Sequence, residues 1–70
     1  MERIAVQSRD IAIVGYDPET LMLEITFRGG GVYQYKDVTE AVYQNLLRAE
    51  SLGTYFNQNI KNSYEYVKVT

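Results

Sequence analysis

Along this chain, hydrophobic and polar positions follow a period of about two as far as Lys36 and a period near 3.6 from Thr39 onward. The clearest segment is Leu21-Met22-Leu23-Glu24-Ile25-Thr26-Phe27, where Leu21, Leu23, Ile25 and Phe27 share one face and Met22, Glu24 and Thr26 the other. Ile11-Ala12-Ile13-Val14-Gly15-Tyr16 is a continuous apolar, β-branched run, as expected of a strand lying between other elements. Val32-Tyr33-Gln34-Tyr35-Lys36 alternates again. Then Val38, Val42, Leu46 and Ala49 recur at helical spacing, and a second, shorter helix carries Leu52, Tyr55, Phe56, Asn59 and Ile60. Tyr64-Glu65-Tyr66-Val67-Lys68-Val69 returns to alternation. Strands followed by helices predict an α+β fold. The expectation is a single domain over residues 1–70: an antiparallel β-meander of three strands, two helices near 39–50 and 52–61 packed on one face, and the C-terminal segment as a fourth edge strand.

Turn chemistry sharpens this reading. Asp17-Pro18 suits the first two positions of a type I turn. A three-residue loop at Gly29-Gly30-Gly31 sets Glu24 opposite Lys36, Ile25 opposite Tyr35, Thr26 opposite Gln34 and Phe27 opposite Tyr33. The apolar residues of the central strand then share a face with the two tyrosines, and the outer face gains an opposite-charge pair. A two-residue loop at Gly29-Gly30 would instead mix polar and apolar groups on both faces. Either Asp37, in a capping box with Glu40, or Thr39 can start the first helix, and Ser51 can start the second.

Composition removes most enzyme classes. The chain has no cysteine and no histidine. It therefore lacks thiol nucleophiles, zinc–thiolate ligands and the commonest acid–base group. Asp17 and Glu19 read as turn residues, Asp37 and Glu40 as helix-start residues, and Ser8, Thr39 and Ser51 have no histidine to activate them. The glycine run lacks Walker spacing and precedes a strand, so it reads as a hairpin loop. The expectation is a protein with no catalytic residues, no cofactor and no metal. Seven basic against nine acidic residues leave a net charge of −2, which argues against strong non-specific attraction to phosphate backbones. No apolar run approaches the roughly 18 residues of a membrane span, and the start has no apolar signal region. A cytoplasmic protein without a membrane partner is expected.

Seven tyrosines are the unusual feature, with Tyr33/Tyr35 and Tyr64/Tyr66 each placing two rings on one strand face. A stacking platform for bases is the functional reading. Tyr33 and Tyr35 share a face with Ile25 and Phe27, so they are expected to complete the core, while Tyr64 and Tyr66 are more open to binding. Arg28, Gln34 and Lys36 fall on the outer sheet face. With Tyr64 and Tyr66 they form the set of nucleic-acid-binding candidates.

One further pattern spans residues 6–66: Ser8, Ile11, Val14-Gly15-Tyr16-Asp17, Leu23-x-Ile25-x-Phe27, a glycine turn and Tyr33-Gln34-Tyr35, then Val38, Tyr43, Leu46, Ala49-x-Ser51-x-Gly53-x-Tyr55-Phe56-Asn57 and Ile60. It resembles the KTSC domain, named for the C-terminus of some lysyl-tRNA synthetases and also found as small single-domain proteins of bacteria and phage. Arg9 and Thr39 depart from it, where a second serine and a proline are usual. The family has no established activity, and the resemblance implies RNA or a nucleoprotein as partner through the synthetase context. The alternative is a protein-interaction or self-association module, monomeric or weakly homo-oligomeric. Gly15, Tyr16, Tyr33, Tyr35, Ser51, Gly53, Tyr55, Phe56 and Asn57 are the shared motif residues, read as structural. Asn57 is expected to bond backbone at the helix–sheet junction.

Overall fold

The period-2 half of the chain closes into a larger sheet than its alternation predicts. The computed structural model describes all 70 residues, Met1–Thr70. The elements are β1 (Glu2–Ala5), β2 (Ile11–Asp17), β3 (Met22–Phe27), β4 (Val32–Tyr35), α1 (Glu40–Arg48), α2 (Leu52–Asn59) and β5 (Tyr66–Lys68). The sheet has five strands, not three or four, in the order β1-β2-β3-β4-β5, with every neighbouring pair antiparallel. The expected meander is β2–β4, and the C-terminal edge strand is β5. The added strand is β1. Glu-Arg-Ile-Ala carries no apolar alternation because, as an edge strand, it is exposed at all four positions.

A bulge explains the unbroken apolar run of β2. Ile11 pairs with Phe27 but Ile13 with Thr26, so Ala12 is an extra residue. The bulge returns Ile11 to the same face as Val14 and Tyr16, and all three are buried. Leu23 and Ile25 lie on that face, as does Tyr35, and the helices cover it with Leu46, Leu52 and Phe56. Val38 and Ile60, just outside the two helices, complete the cluster.

The β3–β4 register differs from expectation. Leu23 pairs with Tyr35, Glu24 with Gln34, Ile25 with Tyr33 and Thr26 with Val32. The loop does have three residues, but they are Arg28-Gly29-Gly30: Gly30 N–H donates to the Phe27 carbonyl and Phe27 N–H to the Gly31 carbonyl, both at 3.1 Å. The loop's left-handed position thus falls on Gly30 (φ 112°). Gly31 is also left-handed (φ 96°), and a Cβ there would stand 3.2 Å from the Tyr33 ring. Each residue of β3 is opposite a partner two positions earlier in β4 than expected. Side chains repeat every two residues, so every side chain keeps its predicted face while the pairs change. Glu24 is opposite Gln34 rather than Lys36.

At the other hairpin, Asp17 Oδ1 accepts from the Glu19 N–H at 2.9 Å, which fits the predicted turn. Leu21 belongs to this turn rather than to β3, with φ of 58°, and its carbonyl accepts from Val38 N–H. Thr39, not Asp37, is the N-cap of α1, its Oγ1 accepting from Val42 N–H. Ser51 caps α2 through Thr54 N–H. Both helices are shorter than their periodic patterns, because Val38, Ala49 and Ile60 are packed or capping residues outside them.

Candidate functional site

Five aromatic rings converge where the β4–β5 end of the sheet meets α2. Register brings three of them together: Tyr35 is opposite Tyr66 on the neighbouring strand, and Tyr33, two residues before Tyr35, points the same way. Tyr66 lies 5.6 Å from Tyr33 and 5.5 Å from Tyr35, centroid to centroid. The other two rings are Phe27, edge-on to Tyr33 at 5.5 Å, and Phe56 of α2, edge-on to Tyr35 at 5.4 Å. They line an open cleft of about 370 Å³, within the range of small-ligand sites. Tyr35 and Phe56 are buried and form its floor, while Tyr66 is 54% exposed at its rim. Burial pushes the Tyr35 phenol up to about 12, and the neighbouring Tyr66 and Tyr33 add to the shift.

The polar lining comes from the end of α2 and the turn after it: Asn57, Lys61 and Asn62. No carboxylate lines this cleft, whereas each of the three other surface clefts has at least one. Lys61 makes no ion pair, since the pairs in the molecule are Arg3–Glu24 and Arg9–Asp10. Lys68 is the register partner of Tyr33 and so emerges beside it on the same face of the sheet.

The predicted binding residues do not form one surface. Tyr66 is in the cleft. Tyr64 is half-buried and packs against the core, so it is less open than expected. Gln34 is on the outer face, where its Nε2 donates to Glu24 Oε1 at 3.0 Å. Arg28 donates from Nε to the Ser8 carbonyl at 2.8 Å and from Nη2 to the Val6 carbonyl at 3.0 Å. It clasps the β1–β2 connection to the β3–β4 hairpin. Lys36 is exposed at the other end of that hairpin; six residues along the strand separate the two by about 20 Å. The expected Arg28–Lys36 patch therefore does not exist.

Among the motif residues, Gly15 is the crossing point of the Arg3 side chain, and Tyr16 donates a short hydrogen bond to the Val38 carbonyl and stacks on Tyr43 at 4.6 Å. Ser51 is a cap. Gly53 sits against Ser8, with room for a Cβ at ordinary contact distance, and Tyr55 packs on the core. Asn57 departs from expectation. It is exposed, its side chain makes no hydrogen bond, and it stands between the aromatic cleft and a polar cleft lined by Ser8 and Ser51. The helix turns its amide to solvent, and the amide bonds no backbone group. Lys61 and Asn62 escape sequence reasoning, because they lie in a polar stretch whose facing depends on the chain reversal after Ile60; Lys68 is legible from the alternation of Tyr64–Val69, which puts it on the face of Tyr66.

The KTSC domain family matches residues 7–64. An uncharacterised protein of Stutzerimonas stutzeri is 44% identical over 70 residues, covering 99% of both chains. The lysine–tRNA ligase of Nostoc punctiforme is 34% identical over 55 residues, which are 79% of this chain and 10% of that enzyme. The crystal structure of a KTSC domain protein from Yersinia pestis aligns with a TM-score of 0.95 at 42% identity, covering 99% of this chain and 97% of that one.

Proposed function

The chain belongs to the KTSC domain family, and from that premise we propose that it is a small non-enzymatic binding module that takes single-stranded RNA in the aromatic cleft. The carrying observation is the cleft's composition: five rings, an unpaired lysine and no carboxylate in a chain of net charge −2. Rings offer stacking to any base, and a duplex keeps its bases out of reach. The similarity to part of a lysine–tRNA ligase supports RNA as the nucleic acid. With so few cations, affinity is weak and steering slight.

Fluorescence anisotropy with labelled single-stranded and duplex RNA at two salt concentrations tests this reading. Single strands should bind better, with a log–log salt slope of about −0.7 for each phosphate engaged. Tyr66→Ala should weaken binding by about 1–3 kcal/mol without altering that slope. No binding at about 100 μM protein in low salt, the weak end of ordinary nucleic-acid affinity, would reject RNA.

One observation favours a second reading, self-association. The exposed large apolar residues, Met1, Ile4, Tyr66, Val67 and Val69, all lie on or beside the two edge strands, whose free edges can pair with another copy. Sedimentation velocity over a range of concentrations separates the readings, since self-association requires no RNA.

A further inference from the structure

We propose that the cleft is a single-nucleotide site, in which the rings take one unstacked base and Lys61 and Lys68 hold the phosphates on its two sides. This rests on the RNA reading and specifies its recognition unit. Four observations carry it.

First, the aromatic floor and rim are confined to one place. Tyr33, Tyr35 and Tyr66 cluster within 5.6 Å of one another in the pairs described, and the cleft of about 370 Å³ is closed on the helix side by Phe56. Tyr66 is the exposed ring of the group, with Tyr33 half-buried beside it, and the tyrosines outside the cleft are buried (Tyr16) or half-buried against the core (Tyr43, Tyr55 and Tyr64). A run of stacked bases therefore finds a platform for one of them.

Second, two cations come from two different elements beside the rings. Lys61 follows α2 and lines the cleft, while Lys68, outside the lining, comes from β5 opposite Tyr33, its Cε 3.9 Å from where a Gly31 Cβ would stand. Both are exposed and neither is in an ion pair. An internal nucleotide carries a phosphate on each side of its sugar, and the lysines match that arrangement in number and sign.

Third, the charge of the lining favours an anion over a cation: its one charged group is Lys61, and no carboxylate offsets it.

Fourth, Asn57 and Asn62 bring free amides to the lining. Neither the Asn57 nor the Asn62 side chain makes a hydrogen bond within the protein, which leaves donors and acceptors for a base edge.

The test uses the full chain, isotopically labelled, titrated with adenosine, adenosine 5′-monophosphate and adenosine 3′,5′-bisphosphate while amide shifts are followed. Shifts should cluster on β4, β5 and the end of α2. Each added phosphate should tighten binding about fivefold, the factor for one ion pair at 4 Å in water. Lys61→Gln and Lys68→Gln should each remove about one such factor from the bisphosphate and leave adenosine unchanged; both residues are exposed, so neither variant threatens the fold. Equal affinity for the three ligands, or lysine variants without effect, overturns the proposal. N-Acetylphenylalanine binding as tightly as the bisphosphate also overturns it, in favour of an aromatic, acidic peptide. If a single-stranded RNA oligomer binds but the bisphosphate does not, the single-nucleotide site is wrong and the RNA reading stands; if neither binds, both fall.

Discussion

Arg3 crosses the backbone of Gly15 to reach Glu24, its Nε 2.6 Å from the carboxylate Oε2. Register makes the crossing necessary: Arg3 pairs with Gly15 and Gly15 with Glu24, so the three lie in one row on the outer face. Gln34 extends the row and donates to the other carboxylate oxygen. Glu24 is 5% exposed, and an ionised carboxylate so covered needs these partners. Gly15 is thus required for the space above it. A Cβ would stand 2.9 Å from Met1 Sδ and 3.0 Å from Arg3 Cγ. Gly15→Val should lower stability by about 1–2 kcal/mol, the cost of leaving a covered acceptor short of a partner. The check is thermal denaturation of Gly15→Val alone and combined with Glu24→Gln. Equal losses in both backgrounds would mean that the glycine serves something other than the ion pair.

Acid should unfold the protein partly through this row. Hydrogen bonding from Arg3, against the opposing effect of burial, holds the Glu24 carboxyl below its ordinary value of 4.5. A depressed native value means that the unfolded chain takes up the proton first. The stabilisation is complete above about pH 4.5 and is lost as pH falls through the native value. Glu24→Gln should therefore show a flatter decline of stability below that pH than the wild type. Asp17, lowered chiefly by the Glu19 N–H, contributes in the same direction and remains in the variant. Parallel acid profiles for the two proteins would contradict this account.

Two buried tyrosines should respond differently to loss of the hydroxyl. Tyr16 donates to the Val38 carbonyl within the core, whereas the Tyr35 hydroxyl has no protein partner and faces the cleft. Tyr16→Phe should cost about 1–2 kcal/mol because it strands a carbonyl, and Tyr35→Phe well under about 0.5 kcal/mol. Tyr35→Ala, which removes a ring 4% exposed, should cost about 3–5 kcal/mol. Urea unfolding of the three variants measures this order. Equal costs for the two phenylalanine variants would argue against a structural role for the Tyr16 bond.

Alkaline titration should resolve the same residue. Burial raises Tyr35 to about 12 and also raises Tyr16 and Tyr43 above 10.0. A raised native value means the proton is held more tightly when folded. That stability is complete below pH 10 and is lost as pH rises toward 12. Phenolate absorbance should show a late component that Tyr35→Phe removes, together with a smaller loss of stability between pH 10 and 12. A late component persisting in the variant would assign it to another ring.

The change of period at Thr39, the alternation of Leu23, Ile25 and Phe27 and the caps Thr39 and Ser51 are all local properties, and local properties were enough to place the meander, the helices and the buried face. Facing survived even where pairing did not, because a displacement of two residues leaves every side chain on its own side. The loop shift itself turned on which of three consecutive glycines took the left-handed corner, and their identical side chains hold no information on that point. β1 was invisible because Arg3 owes its place to a partner twenty-one residues away rather than to any pattern around it. The candidate site has the same origin. Tyr33 and Tyr35 were legible as a pair on one face, but the cleft exists only where β5 returns to bring Tyr66 beside them and where the chain reversal after Ile60 carries Lys61 and Asn62 to their edge. Periodicity reports which side of its own element a residue occupies; which residues from distant elements share a site is decided by how those elements close on one another.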